Sequence, residues 1–140
     1  MAEEIIVRQN RALETEIVPV EPRQPASGRL NLKGFENPLT PTQLLLASLG
    51  SCTTTVLHSY AQYHNLNLQA VEIHLTYRHF IPKEDEKATD DQRHDQIEQQ
   101  ITLIGELDPE IHRRIFLICR RCQIFSMIER GVSIKSQLMN

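Results

Sequence analysis

From Thr40 to Tyr63 the chain reads TPTQLLLASLGSCTTTVLHSYAQY, a helix start signal followed by a long run with no proline after Pro41. Thr40 is a hydroxyl N-cap, and Pro41 fits the first helical position, where its missing N–H is not needed. Gln43 stands three residues after the cap, the spacing of a capping box. A long helix is predicted here. Leu45, Leu49, Cys52 and Val56 recur at +4, +3 and +4 on one face, while Leu44, Leu46 and Leu57 occupy others, so the helix is apolar around most of its circumference. Such an element has to be covered on several sides, which makes it a central core helix and places Cys52 inside the protein.

Charge and length exclude several classes. The 140 residues carry 15 Lys and Arg against 18 Asp and Glu, a net charge of -3, with no basic block able to neutralise several phosphates, so nucleic acid is not an expected partner. The longest apolar run, Leu44 to Gly50, is interrupted by Ser48 and is far shorter than the ~20 residues a bilayer requires, so no membrane partner is expected either. The N-terminus begins with acids and lacks the cationic and apolar regions of a secretory signal, which leaves a cytoplasmic location. A chain of this length forms one domain, residues 1–140. Its 3 cysteines, an odd number, read as reduced or redox-active thiols, not a disulfide framework.

The remaining elements are read from periodicity. Ile5 to Val20 holds short β-favouring runs limited by Pro19, Pro22 and Pro25, which reads as edge strands and loops. Gly28, Gly34 and Pro38 mark turns around a short strand, Arg29 to Lys33. Val71, Ile73, Leu75 and Tyr77 alternate with Glu72, His74, Thr76 and Arg78 in a half-buried strand over Ala70 to Phe80. Pro82 to Asp95 is polar and aperiodic, a surface loop. Gln96 to Glu106 alternates again, with Ile97, Ile101 and Leu103 inward and Gln99 breaking the pattern, and the loop makes these two strands antiparallel. Asp108 and Pro109 open a second long helix, with Ile111, Ile115, Ile118, Cys122 and Phe125 in one stripe and Gly131 at its end. Val132, Ile134 and Leu138 mark a final strand. The order describes an α+β domain.

The thiols are where chemistry can reside. If the two helices pack on each other, Cys52 and Cys122 come within the ~4.4–6.8 Å between Cα atoms that a disulfide needs. The competing reading treats each as a small buried hydrophobe. Cys119 and Cys122 also form a C-R-R-C pair with the spacing of redox and zinc motifs. A redox pair normally sits at a helix N-terminus, whereas this one falls inside the predicted second helix. Zinc needs two further ligands at regular spacing, which the six histidines do not provide, so no metal is expected. His58, His64 and His74 read as surface or rim residues. No G-x-S-x-G, Walker or dinucleotide fingerprint is present, which disfavours hydrolases and nucleotide enzymes.

NPLTPTQLLLASLGSCTTTVLHSYA, then NLNLQAVEIHLTYRH, then IEQQITLIGELDPEIHRRIFLICRRCQIFSMIERGVSIKSQL, together spanning Asn37 to Leu138, resemble the OsmC/Ohr superfamily. Its core pattern is P-x-E-L-L-L-A-A-L-G-x-C-T followed by a K-C-P-V-H-like segment. The resemblance implies an intertwined homodimer in which curved antiparallel sheets wrap two long central helices. It further implies reduction of organic hydroperoxides by a cysteine pair, with no metal or other cofactor and an external dithiol as reductant. By position, Cys52 matches the peroxidatic cysteine and Cys122 the resolving one. Apolar surroundings raise a thiol pKa, so such a site needs a cation and a polar partner to restore the thiolate.

Two departures from the pattern bear on that need. Thr42 and Gln43 stand where active relatives carry a glutamate, leaving Gln43 as the candidate polar group. Arg11, Arg23 and Arg29 are the candidate cations, with Arg29 nearest the helix entry. Gln123 and Phe125 replace the Pro and His of the second motif. Leu49 and Phe125 are the candidate walls of the substrate pocket. The alternative function is a non-catalytic dimer of this fold that keeps its cysteines for packing and binds a small apolar ligand.

Overall fold

The computed structural model describes residues 2–20, 30, 33–34, 38–80 and 94–140. The predicted strand Arg29 to Lys33 and the predicted loop from Pro82 fall mostly outside them; Leu30 is described, and forms a single bridge to Leu39. Four strands, β1 (Ala2–Asn10), β2 (Thr15–Pro19), β3 (Leu68–Arg78) and β4 (Gln96–Gly105), form an antiparallel sheet in the order β2-β1-β3-β4. The helix α1 (Pro41–Tyr63) crosses one face of that sheet, and α2 (Pro109–Ile118) and α3 (Gln123–Arg130) pack on α1. The α+β class and the antiparallel β3–β4 pair are as the sequence predicts.

β1 is not the edge strand that the sequence implies. It pairs with β2 on one side and β3 on the other, aligning Ile5 with Leu75 and Val7 with Ile73, all four fully buried under α1. Burying side chains of this size is worth ~1.5–3 kcal/mol each, and that outweighs the weak strand propensity of the flanking Glu3, Glu4 and Arg8. Leu46, Leu49 and Leu57 meet them from α1.

The helix can lie this close because position 50 has no side chain: a Cβ there would stand 2.7 Å from Val7 Cγ2 and 2.8 Å from Leu75 Cδ1. Gly105, with φ +153, ends β4 against the bulge in β3, and a Cβ on it would meet the Asn67 carbonyl oxygen at 2.0 Å.

The second long helix is a correction. α2 stops at Ile118, a 3₁₀ turn follows over Cys119–Arg121, and Cys122 is extended at φ -64, ψ 128 before α3 begins at Gln123. No glycine or proline causes the break. The 3₁₀ turn winds more tightly than an α-helix, and its closing bond runs from Cys122 N–H to the Cys119 carbonyl at 3.4 Å. The redirected chain buries Cys119 and Cys122 while Arg120 and Arg121 between them stay in water.

The predicted strand over Val132 to Leu138 is also absent. Residues 131–140 have no regular structure and are exposed throughout, because no strand among the described residues pairs with them. No helix among the described residues is long and apolar enough to cross a membrane.

Candidate active site

The start of α1 is built as its sequence reads. Thr40 Oγ1 accepts the Gln43 N–H at 3.0 Å, and Gln43 Oε1 accepts the Thr40 N–H at 3.0 Å, closing the capping box. Gln43 Nε2 donates to the Glu4 carbonyl on β1 at 3.1 Å, so this buried amide is fully occupied in anchoring the helix. Nine residues at 1.5 Å each put about 13 Å of helix axis between Gln43 and Cys52.

A carboxylate does stand at this helix entry, supplied by β1. Thr40 Oγ1 donates to Glu3 Oε1 at 2.6 Å. Burial of Glu3 works against its ionisation, but hydrogen bonds from Thr40, Thr42 and His79 outweigh it and hold the carboxyl below the usual glutamate range. The positive end of the helix dipole acts in the same direction.

Cys52 lies in the middle of α1, half-buried where the sequence predicts an interior thiol. It opens onto a shallow groove of about 590 Å³ between α1, the β1–β2 hairpin and α3. Leu13, Ile17, Val56 and Ile124 make the groove apolar, and Ser48, Ser51, Thr55 and Gln9 give it one polar wall. That wall is an ordered chain of donors. Thr55 Oγ1 donates to the Ser51 carbonyl at 2.8 Å, and Thr15 Oγ1 donates to the Leu13 carbonyl at 3.0 Å. Both hydroxyl oxygens are then acceptors for Gln9 Nε2, at 3.0 and 2.9 Å. The orientation of the Gln9 amide is thereby set, and its buried Oε1 is left without a hydrogen-bond donor.

Cys122, fully buried, approaches from behind as the N-cap of α3, where its Sγ accepts the Phe125 N–H at 3.4 Å. Its thiol lies within hydrogen-bonding reach of Cys52. Burial first, then the neighbouring Cys52, push the Cys122 thiol above its ordinary value, and the Phe125 N–H and the Thr53 side chain pull only partly against them. Thr53 is itself buried, with its hydroxyl 2.9 Å from the Leu49 carbonyl and 3.4 Å from Gln99 Oε1. Gln99, the residue that interrupts the apolar alternation of β4, thus reaches the helix beside the thiols.

The structure therefore brings Cys52 and Cys122 together across the α1–α3 contact. Leu49 lies in the core and Phe125 packs half-buried against it; the groove wall that α3 provides is Ile124. Arg23 and Arg29 lie outside the described residues, and Arg11 offers its carbonyl to Gln62 Nε2 at 3.1 Å. Among the described residues no guanidinium hydrogen-bonds Cys52. His58, expected at the surface, is buried, with Nε2 2.9 Å from the Gln9 carbonyl, and so ties α1 to the strand that bears the groove's amide. Sequence reasoning missed Gln9, Thr53, Thr55 and Gln99; the one visible signal was Gln99 at an inward strand position.

A sequence model of the family described as OsmC-like protein matches residues 34–137. The chain belongs to the OsmC-like family. The crystal structure of an OsmC-like hydroperoxide resistance protein from Jannaschia sp. CCS1 superimposes with a TM-score of 0.55 over 99% of this chain and 94% of that one, at 12% identity, a likeness of fold. No curated protein matches the sequence. Within this OsmC-like chain the matched region takes in α1, β3, β4, α2 and α3, and hence both facing thiols.

Proposed function

We propose that this OsmC-like protein is a cytoplasmic thiol peroxidase that reduces organic hydroperoxides through Cys52 and Cys122. One observation carries the reading: a half-buried thiol opens on a mostly apolar groove with a second, fully buried thiol within hydrogen-bonding reach behind it. The Cys52 thiolate attacks the terminal oxygen of the hydroperoxide, the O–O bond breaks, and the organic oxygen leaves as an alcohol after taking a proton. Cys122 then attacks the Cys52 sulfenic acid, water leaves, and a disulfide forms. An external dithiol reduces it and is itself oxidised to a disulfide. The apolar side of the groove receives the organic group. Arg29 is the proposed cation that sustains the Cys52 thiolate. The description of the structural neighbour as a hydroperoxide resistance protein supports the same reading.

The working unit is proposed to be a homodimer. Phe116, Leu117, Ile134 and Leu138 are 53%, 64%, 85% and 85% exposed in the single chain, large apolar side chains that a second copy would cover. A second reading, a non-catalytic dimer that binds a small apolar ligand, is favoured by the place of Cys122 within the apolar core cluster, where a thiol packs as a small hydrophobe. Mixing reduced protein with cumene hydroperoxide separates the two. The peroxidase consumes peroxide and the Cys52→Ser variant does not, whereas equal rates in both proteins would leave Cys52 structural.

A further inference from the structure

Cys119 is a buried thiol that the peroxidase cycle leaves unused, yet it sits in the core cluster that contains Cys122. The break between α2 and α3 changes its relation to Cys122. In a continuous α-helix these residues would be offset around the axis, but they bracket a 3₁₀ turn closed by the Cys122 N–H and the Cys119 carbonyl. In that geometry residues three apart stack on the same side, and a rise of ~2 Å per residue separates their Cα atoms by about 6 Å. That spacing falls inside the ~4.4–6.8 Å window for a disulfide.

We infer that Cys119 is a second resolving thiol, which takes the disulfide over from Cys52 and carries it on the C-R-R-C turn. This relay rests on the peroxidase reading for its place in the cycle, though not for its chemistry. The Cys119 thiol loses its proton to water and attacks Cys122 Sγ; the Cys52–Cys122 bond breaks as the Cys119–Cys122 bond forms. Cys52 departs as a thiolate. One disulfide is exchanged for another, so no oxidant or reductant is consumed.

Two features of the turn suit the role. Arg120 and Arg121 are exposed on either side of its apex, so the oxidised turn presents a cationic surface to the reducing dithiol. Arg120 also favours the thiolate of Cys119, against a larger opposing effect of burial. Transfer returns Cys52 to the reduced state before the external dithiol arrives, leaving it ready for a second peroxide.

The test uses diamide, a thiol oxidant, so that it does not depend on peroxide turnover. Reduced protein is treated with one equivalent, quenched with N-ethylmaleimide at increasing times and digested with trypsin. Cleavage after Arg120 and Arg121 puts Cys119 and Cys122 on different peptides, so each disulfide is identified by mass. The expected result is a Cys52–Cys122 link that declines while Cys119–Cys122 rises and Cys52 becomes alkylated. In Cys52→Ser the Cys119–Cys122 link forms directly. In Cys119→Ala the Cys52–Cys122 link persists, and its reduction by a dithiol is several-fold slower. A parent protein that keeps Cys52–Cys122 unchanged overturns the relay, as does a Cys52→Ser variant in which Cys119 stays fully alkylated. Transfer under diamide with no reaction toward cumene hydroperoxide would sink the peroxidase reading and leave the relay standing.

Discussion

Cys122 meets Cys52 from a helix end: the sulfur that caps α3 by accepting the Phe125 N–H at 3.4 Å is the one that faces the thiol at the centre of α1. Burial, and after it the proximity of Cys52, hold the Cys122 thiol above its ordinary 9.0, so little of it is ionised near neutrality. The thiolate is the attacking form. Closure of the disulfide onto an oxidised Cys52 should therefore speed up by about tenfold per pH unit between roughly pH 6 and 8, because the ionised fraction of a weak acid grows at that rate well below its pKa. Trapping the sulfenic acid with dimedone at timed intervals measures the step. A flat profile over that range would mean that Cys122 does not attack as a free thiolate.

The two glycines that let the core close should respond differently to a methyl group. At position 50 the added Cβ stands 2.7 Å from Val7 Cγ2 and 2.8 Å from Leu75 Cδ1, so these side chains must shift, but Ala gains helix propensity and the overpacking cost of ~1–3 kcal/mol is partly offset. At position 105 it meets a backbone carbonyl at 2.0 Å with φ at +153, and neither can yield cheaply. Gly105→Ala should lose ~3 kcal/mol or more, and Gly50→Ala about 1 kcal/mol, by urea denaturation. The opposite ranking would contradict the backbone clash described at Gly105.

Substrate preference should follow the groove wall. Val56 and Ile124 line the apolar side and neither makes a side-chain hydrogen bond. Replacing either with Ser removes contact with the organic part of a hydroperoxide, worth ~1–2 kcal/mol, and should lower kcat/KM for cumene hydroperoxide roughly 5- to 30-fold. Hydrogen peroxide, with no organic part, should be affected much less. An equal loss for both peroxides would show that the organic group binds elsewhere.

The α1 entry was legible to the atom, because every part of the capping box lies within four consecutive residues, Thr40 to Gln43. β3 was legible because Val71, Ile73, Leu75 and Tyr77 alternate without interruption. The break at Cys119–Arg121 was hidden, since Ile115, Ile118, Cys122 and Phe125 keep a helical spacing straight through it. Neither glycine nor proline marks the bend, so nothing in the local sequence announces it. The groove's polar wall was hidden for a related reason. Gln9 finds Thr55, and Thr53 finds Gln99, each 46 residues away in sequence, and no local pattern announces such a pair. The predicted last strand had the right alternation and no partner among the described residues.

That unpaired alternation bears on assembly. A segment with Val132, Ile134 and Leu138 exposed gains most by pairing with a second copy. The parent should scatter light as a dimer, and Ile134→Asp combined with Leu138→Asp should shift it toward monomer at micromolar concentration. A parent protein that is monomeric would remove the dimer from the proposal.

The most direct measurement is a count of thiols. Reduced protein, with its 3 cysteines per chain, is given one equivalent of cumene hydroperoxide and the free thiols are then titrated under denaturing conditions. If Cys52 and Cys122 work as a pair, two thiols disappear per peroxide consumed and one remains, while the Cys52→Ser variant keeps both of its own. If the parent keeps all its thiols as the peroxide persists, the pair is structural and the peroxidase account fails.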